Sequence, residues 1–206
     1  MTVHDRAQVF TLEALVSALL LLGAILFALQ ATAVTPQSAT TASAHSVTQL
    51  ERVAGGVLDD AAADGSLKRT VLYWDPSAEA FYGLDTYDSG YANGDLPTAF
   101  GEQLRRSFAG DGVVYNVEVR YQRPGDDPAT RTIVDSGTPS DDAVRVATLV
   151  TLYDDDPLYY DDDGSVATAA VPSGDTVSSG SFYAPDDAAG SGVYNVVSVE
   201  VVLWTT

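Results

Sequence analysis

Hydrophobic and polar positions divide this chain into three stretches of different period. From Ala14 to Val34 every residue is apolar or glycine except Ser17, Gln30 and Thr32. At a rise of ~1.5 Å per residue, such a run spans ~30 Å as a helix, the thickness of a bilayer core. It is rich in Leu and Ala and carries no proline before Pro36, so a transmembrane helix is expected. A small, polar, Ser/Thr-rich stalk follows. The period then becomes helical: Val47, Leu50, Val53, Ala54, Val57, Leu58 and Ala61 fall on one stripe, and Asp64-Gly65 marks a stop.

Beyond Gly65 the period shortens to two. KRTVLYWD (68–75) and AFYGL (80–84) read as short strands around an Asp75-Pro76 turn. LPTAFGEQLRRSFAG (96–110) reads as a short amphipathic helix, with Phe100, Leu104 and Phe108 on one face. GVVYNVEVRYQ (112–122) alternates cleanly, with Val113, Tyr115, Val117, Val119 and Tyr121 on one face. TRTIVD follows a Pro-Gly-Asp-Asp turn, and AVRVATLVTLYD (143–154) and VYNVVSVEVVLWTT (193–206) are the longest strands. Most connections are hairpin-like and too short for helical crossovers, which predicts an antiparallel sheet. The fold class expected is α+β, a long N-terminal transmembrane helix packed on an antiparallel β-sheet. A further segment, 154–192, is expected to be a long loop whose Tyr159, Tyr160, Phe182 and Tyr183 dock it on the sheet or on a partner.

Charge narrows the setting. The net charge is −19 and Lys68 is the only lysine. So acidic a surface repels nucleic acid and anionic headgroups, and it is typical of adaptation to high salt, where screening shortens repulsion to ~3 Å at 1 M. There is no cysteine, which excludes disulfides and thiolate-held metals. The two histidines, His4 and His45, lie before the β-rich region. No Ser–His–carboxylate constellation, His-based metal site or phosphate-binding glycine loop can therefore be assembled there, and the expectation is a protein that is not an enzyme and holds no cofactor. Asp161 and Asp163, in the DDDG tract, could offer oxygen ligands to calcium. The tract lacks the alternate spacing and terminal Glu of an EF-hand loop, so a solvated acidic loop is the expected role.

The start of the chain is the most informative part. RAQVFTLEALVSALLLLG places Glu13 just inside the leading edge of the apolar run, after an Arg6-Ala7-Gln8 step. Three readings are open. A cleaved secretory signal would use Ala31-Thr32-Ala33, though the run exceeds a usual ~7–15-residue signal core. An uncleaved anchor explains the length but leaves Glu13 without a role. Cleavage at the Arg6-Ala7-Gln8 step with the helix retained gives Glu13 a nearby cationic amine.

This last arrangement resembles the N-terminus of archaeal type IV pilin-like proteins, and the QVFTLE start is similar to that of haloarchaeal envelope proteins. The resemblance covers the first 35 or so residues. It implies a leader over 1–7, cut by prepilin peptidase at Arg6-Ala7-Gln8, and a transmembrane and assembly helix over 8–35. Glu13 would pair with the terminal amine of a neighbouring subunit. Counted from Gln8, Glu13 is the sixth residue, one beyond the family's usual fifth. Residues 36–66 would then be stalk and amphipathic helix, and 67–206 an acidic extracellular β-rich domain. The expected partners are other pilin-like subunits, prepilin peptidase and the membrane through residues 14–34, with no nucleic acid. The expected location is the cell membrane, single-pass, or a surface filament. The alternative is an uncleaved anchored binding module or structural envelope protein with an acidic loop.

Overall fold

The computed structural model describes residues 13, 15–25, 37–84, 90–108, 110, 112–160 and 171–205. The chain forms two compact units, Met1–His45 and Ser46–Thr206. In the first, residues 15–25 are helical. Helix α1 runs from Gln37 to Ala63, and α2 (Ser66–Val71) and α3 (Ala99–Phe108) follow. Among the described residues there are eight strands: β1 (Trp74–Asp75), β2 (Ala80–Phe81), β3 (Val113–Arg123), β4 (Asp126–Val134), β5 (Val144–Tyr153), β6 (Pro157–Tyr160), β7 (Val171–Thr176) and β8 (Val193–Thr205). The fold is α+β, and its pairings between named strands are antiparallel.

The main sheet has the order β4-β3-β8-β5. Alternation sorts its residues to two faces. Register places Val117 opposite Val201 and Val201 opposite Val146, so these three share the inner face. With Tyr115, Val119, Tyr121, Val197, Val199, Leu203, Val150 and Leu152 they form an apolar layer, nearly all of it buried. On this layer lie Ala54, Leu58 and Ala61 of α1, each at most 1% exposed, and Phe100, Leu104 and Phe108 of α3. Val47 and Val53, expected on the same stripe of α1, are 37% and 40% exposed. A 100° step per residue carries Val53 off the buried line that Ala54, Leu58 and Ala61 define at i, i+4 and i+7, whereas Val47, at i−7, lies on that line and is exposed two turns before its buried part.

Two expectations are corrected. Residues 68–75 do not form one strand: Ser66–Val71 is helical, and only Trp74–Asp75 pairs. The local β-branched and aromatic residues are overruled by tertiary contacts, since Leu67 and Val71, four apart, both bury completely. The Thr70 hydroxyl also lies 2.8 Å from that of Thr98, which accepts the Gly101 N–H at the start of α3. Segment 154–192 is not simply a loop. It carries β6 and β7, which pair with each other, and its Leu158, Val177, Tyr183 and Ala184 are buried.

The helix ends are set by named groups. Gly65 (φ 76°) takes the left-handed conformation that stops α1. Asp64 accepts the Ser66 N–H at 2.7 Å and the Gln103 amide at 2.8 Å, joining the end of α1, the start of α2 and the middle of α3. Its carboxylate is held below its usual range chiefly by the Ser66 hydrogen bonds. One glycine is required by packing: a β-carbon on Gly101 would stand 2.1 Å from the carbonyl oxygen of Leu96.

Gly101→Ala should therefore lower unfolding stability by about 1–3 kcal/mol, the range for forcing a group into a filled core. In contrast, Gly56→Ala on α1, where a β-carbon meets nothing within 4 Å, should raise it by ~0.5–1 kcal/mol. Denaturant unfolding at constant high salt measures both. Equal stabilities for the two variants would show that the Gly101–Leu96 contact relaxes without cost.

Candidate functional site

Two places combine unusual chemistry with defined geometry. The first is the N-terminal apolar segment. Glu13 is helical and exposed. After it, Leu15, Val16, Leu19, Leu20, Leu21, Leu22 and Ile25 are 49–69% exposed. At about 100° per residue their directions go the whole way round the helix. A helix that is apolar on all sides needs an apolar surrounding, either lipid or other helices. Among the described residues no helix is long and apolar enough to cross a membrane. The expected span reaches further, but its residues 14 and 26–34 lie outside the described residues, as do Arg6, Ala7 and Gln8 of the expected processing step. Asp161 and Asp163 of the acidic tract also lie outside them. Among the described residues no group of three or more His, Cys, Asp or Glu side chains could hold a metal ion.

The second place is an aromatic centre on the inner side of the sheet. The β1–β2 pairing sets Trp74 directly opposite Phe81, with ring centroids 5.4 Å apart and nearly perpendicular. Tyr183 closes on them at 5.1 and 5.6 Å, and on Tyr121 of β3 at 5.6 Å. Edge-to-face contacts of this kind each add ~0.5–1.5 kcal/mol beyond burial. The polar ends of the rings are also satisfied: Trp74 Nε1 donates to the Ser181 carbonyl at 2.7 Å, and the Tyr183 hydroxyl to that of Val71 at 3.1 Å. Burial pushes the Tyr183 phenol well above its ordinary range, which keeps it a donor at any physiological pH.

A cation sits in this centre. Arg131, on β4 opposite Val119, is only 4% exposed. Its guanidinium lies 4.9 Å from the Trp74 ring and donates to the Glu79 carbonyl at 3.2 Å. Glu79 itself has a positive φ of 51°, a conformation a non-glycine residue holds only when its surroundings fix it. The centre is filled by its own side chains, with Trp74 and Phe81 each 1% exposed. Its chemistry is that of a lock: it ties β1, β2 and residues 181–184 to the sheet. Of the aromatics expected to dock segment 154–192, Tyr183 and Phe182 do so here, and Tyr160 lies 6.2 Å from Tyr82. Sequence reasoning missed Arg131. In TRTIVD it looks like any arginine between threonines, and only the register with β3 turns it inward.

A single family pattern matches residues 6–203, nearly the whole chain. The chain belongs to DUF7288, a family of unknown function. No curated protein and no solved structure matches it. The DUF7288 pattern runs through both the apolar segment and the acidic domain, so the two are parts of one shared architecture rather than an incidental fusion.

The Arg131 lock makes a measurable claim. Arg131→Ala should cost about 3 kcal/mol, combining a buried cation–π contact of ~2 kcal/mol with a charged hydrogen bond. Arg131→Lys should recover less than half of it, because an ammonium lacks the planar fork. Denaturant unfolding of the two variants at high salt gives the comparison. If lysine restores the full stability, charge alone is what the site needs.

Proposed function

We propose that this protein is a membrane-anchored, extracellular pilin-like subunit, either a minor pilin of a haloarchaeal surface filament or a component of a related secretion system. In this reading its N-terminal apolar helix anchors it and packs with those of neighbouring subunits. The observation that carries the reading is the helical segment behind Glu13, apolar in every direction and 49–69% exposed at its large side chains. The Ser46–Thr206 unit, by contrast, buries its own apolar layer. Such a segment is stable only in lipid or in a bundle. A carboxylate at its head needs a cationic partner there, and a newly exposed amine at Gln8 of a neighbour supplies one. The stripe of α1 packed on an antiparallel sheet supports the same architecture, and the −19 charge supports a high-salt exterior.

Catalysis has no role in this reading. No cofactor is invoked, and prepilin peptidase acts on the chain as its substrate, at Arg6-Ala7-Gln8. The second reading, an uncleaved anchored surface module, keeps the helix in the membrane and leaves Glu13 without a partner.

The mature N-terminus of the protein isolated from its own host's membranes separates these readings. A start at Gln8 is expected. An intact Met1 or Thr2 would leave the uncleaved anchor, and a start near Val34 would make the segment a discarded signal. Glu13→Ala should then reduce assembly into larger complexes while membrane insertion is unchanged. Normal assembly of that variant would refute the amine pairing.

A further inference from the structure

The two faces of the main sheet differ in a way that the proposed anchoring does not use. The inner face is buried under helices and the aromatic centre. On the outer face, one end is covered: Asn116 binds Ser136 N–H at 2.7 Å and the Gly137 carbonyl at 2.9 Å, and its cross-strand neighbour Val202 is buried. The other end is open to solvent. Leu149 is 69% exposed there, among the most exposed large apolar side chains of the Ser46–Thr206 unit, and Val196 is 40% exposed. Register sets Leu149 opposite Ser198 and Val196 opposite Thr151, so the two apolar side chains are diagonal neighbours on one surface. Ala147 adjoins them, also exposed.

The charge on this open area departs from the rest of the molecule. Overall the chain has 10 basic against 29 acidic residues. The outer face carries Arg120 and Arg145 against Glu118 and Glu200, two of each sign, beside Asn116, Gln122, Thr, Ser and apolar residues. Arg145 and Glu200 are paired at 2.9 Å. Two copies of a chain with charge −19 repel one another wherever acidic surfaces meet. Here the local sum is zero: Glu118 and Glu200 are opposite each other in the register, and Glu200 has Arg120 and Arg145 as its diagonal neighbours. A two-fold, face-to-face approach of this area to itself therefore meets no net repulsion, and Leu149 and Val196 offer it apolar contact.

We propose that the outer face of the β4-β3-β8-β5 sheet, centred on Leu149 and Val196, is the contact surface for a second copy of this chain. The two sheets would pack ~10 Å apart, as stacked sheets do. The open area is about four strands by six residues, ~19 by ~20 Å, or ~400 Å² per copy. The resulting ~800 Å² total is below the ~1,200 Å² at which free dimers become stable. The contact therefore works between copies already held close together. For that effective concentration it rests on the proposed membrane tethering.

The absence of cysteine makes the test direct. Full-length chains carrying either Leu149→Cys or Ser77→Cys are expressed in the native host, and membranes are treated with a short bis-maleimide at high salt. Ser77 is exposed in the β1–β2 turn, on the inner side of the sheet. The expected result is a covalent dimer several-fold more abundant from the Leu149→Cys chain than from the Ser77→Cys chain. Adding Arg145→Glu to the Leu149→Cys chain should abolish the excess, and adding Glu200→Arg as well should restore it. Equal yields from the two single-thiol chains in membrane-held protein would overturn the contact and leave the tethering standing. So would a thiol at position 149 that is shielded from reagent without forming dimer, because a different occupant, such as lipid, then covers the face. If the chain is absent from the membrane fraction, the tethering fails. The same cross-linking on concentrated purified protein then decides the contact alone, by the same comparison of Leu149→Cys with Ser77→Cys.

Discussion

The structure depends on one strand having two partners. β8 runs between β3 and β5, pairing from Val113↔Thr205 to Arg120↔Ser198 on one side and from Val144↔Leu203 to Tyr153↔Val193 on the other. Without it there is no common sheet: β3 and β4 form a hairpin, and β5 stands apart. Val197, Val199, Val201 and Leu203 are 0–1% exposed and form the middle of the apolar layer on which α1 and α3 rest. Burial of these four side chains and satisfaction of the β8 backbone on both edges are therefore one event. Loop closure between β3 and β8 covers a long stretch of chain, and its entropic cost is met only when both ladders form together.

Parts of this were legible in the sequence because a single period ran long enough to be unambiguous. The alternation of β3, β5 and β8, the Phe100–Leu104–Phe108 face of α3 and the glycine stop of α1 could each be read from a local window. Strand order could not. Hairpin-like spacing suggests neighbours in sequence are neighbours in space, whereas β4 and β5 lie at opposite edges. The short helix α2 was hidden for a related reason: its β-branched residues favour a strand, and the Leu67 and Val71 contacts that decide otherwise are tertiary. Arg131 was invisible because inward or outward orientation depends on a register shift in the β3–β4 pair. At the candidate sites, the chemistry of Glu13 and its apolar segment is visible from residue types alone, but the open neutral face of the sheet exists only once β8 has brought Glu200 beside Arg145.

Charge and packing divide the labour in this chain. The acidic surface keeps copies apart and solvated, and the inner layer holds the domain together without disulfides. Among the described residues, two surfaces stand out as unsatisfied: the apolar helical segment and the neutral outer sheet face. They differ in strength: the first has no stable state in water, while the second is indifferent until a partner is near. Ordered in that way, they would let anchoring come first and lateral contact second.

Lys68 adds a feature of another kind. It is the only lysine in the chain, and its ammonium lies 2.6 Å from Asp156 and 4.8 Å from the centre of the Tyr153 ring. Aldehyde fixatives, acylating reagents and amine-reactive dyes therefore find a single side-chain target, at the corner where α2 meets the β5–β6 turn. That target is already engaged in an ion pair. Whatever the organism or the experimenter does by amine chemistry, this protein is almost transparent to it.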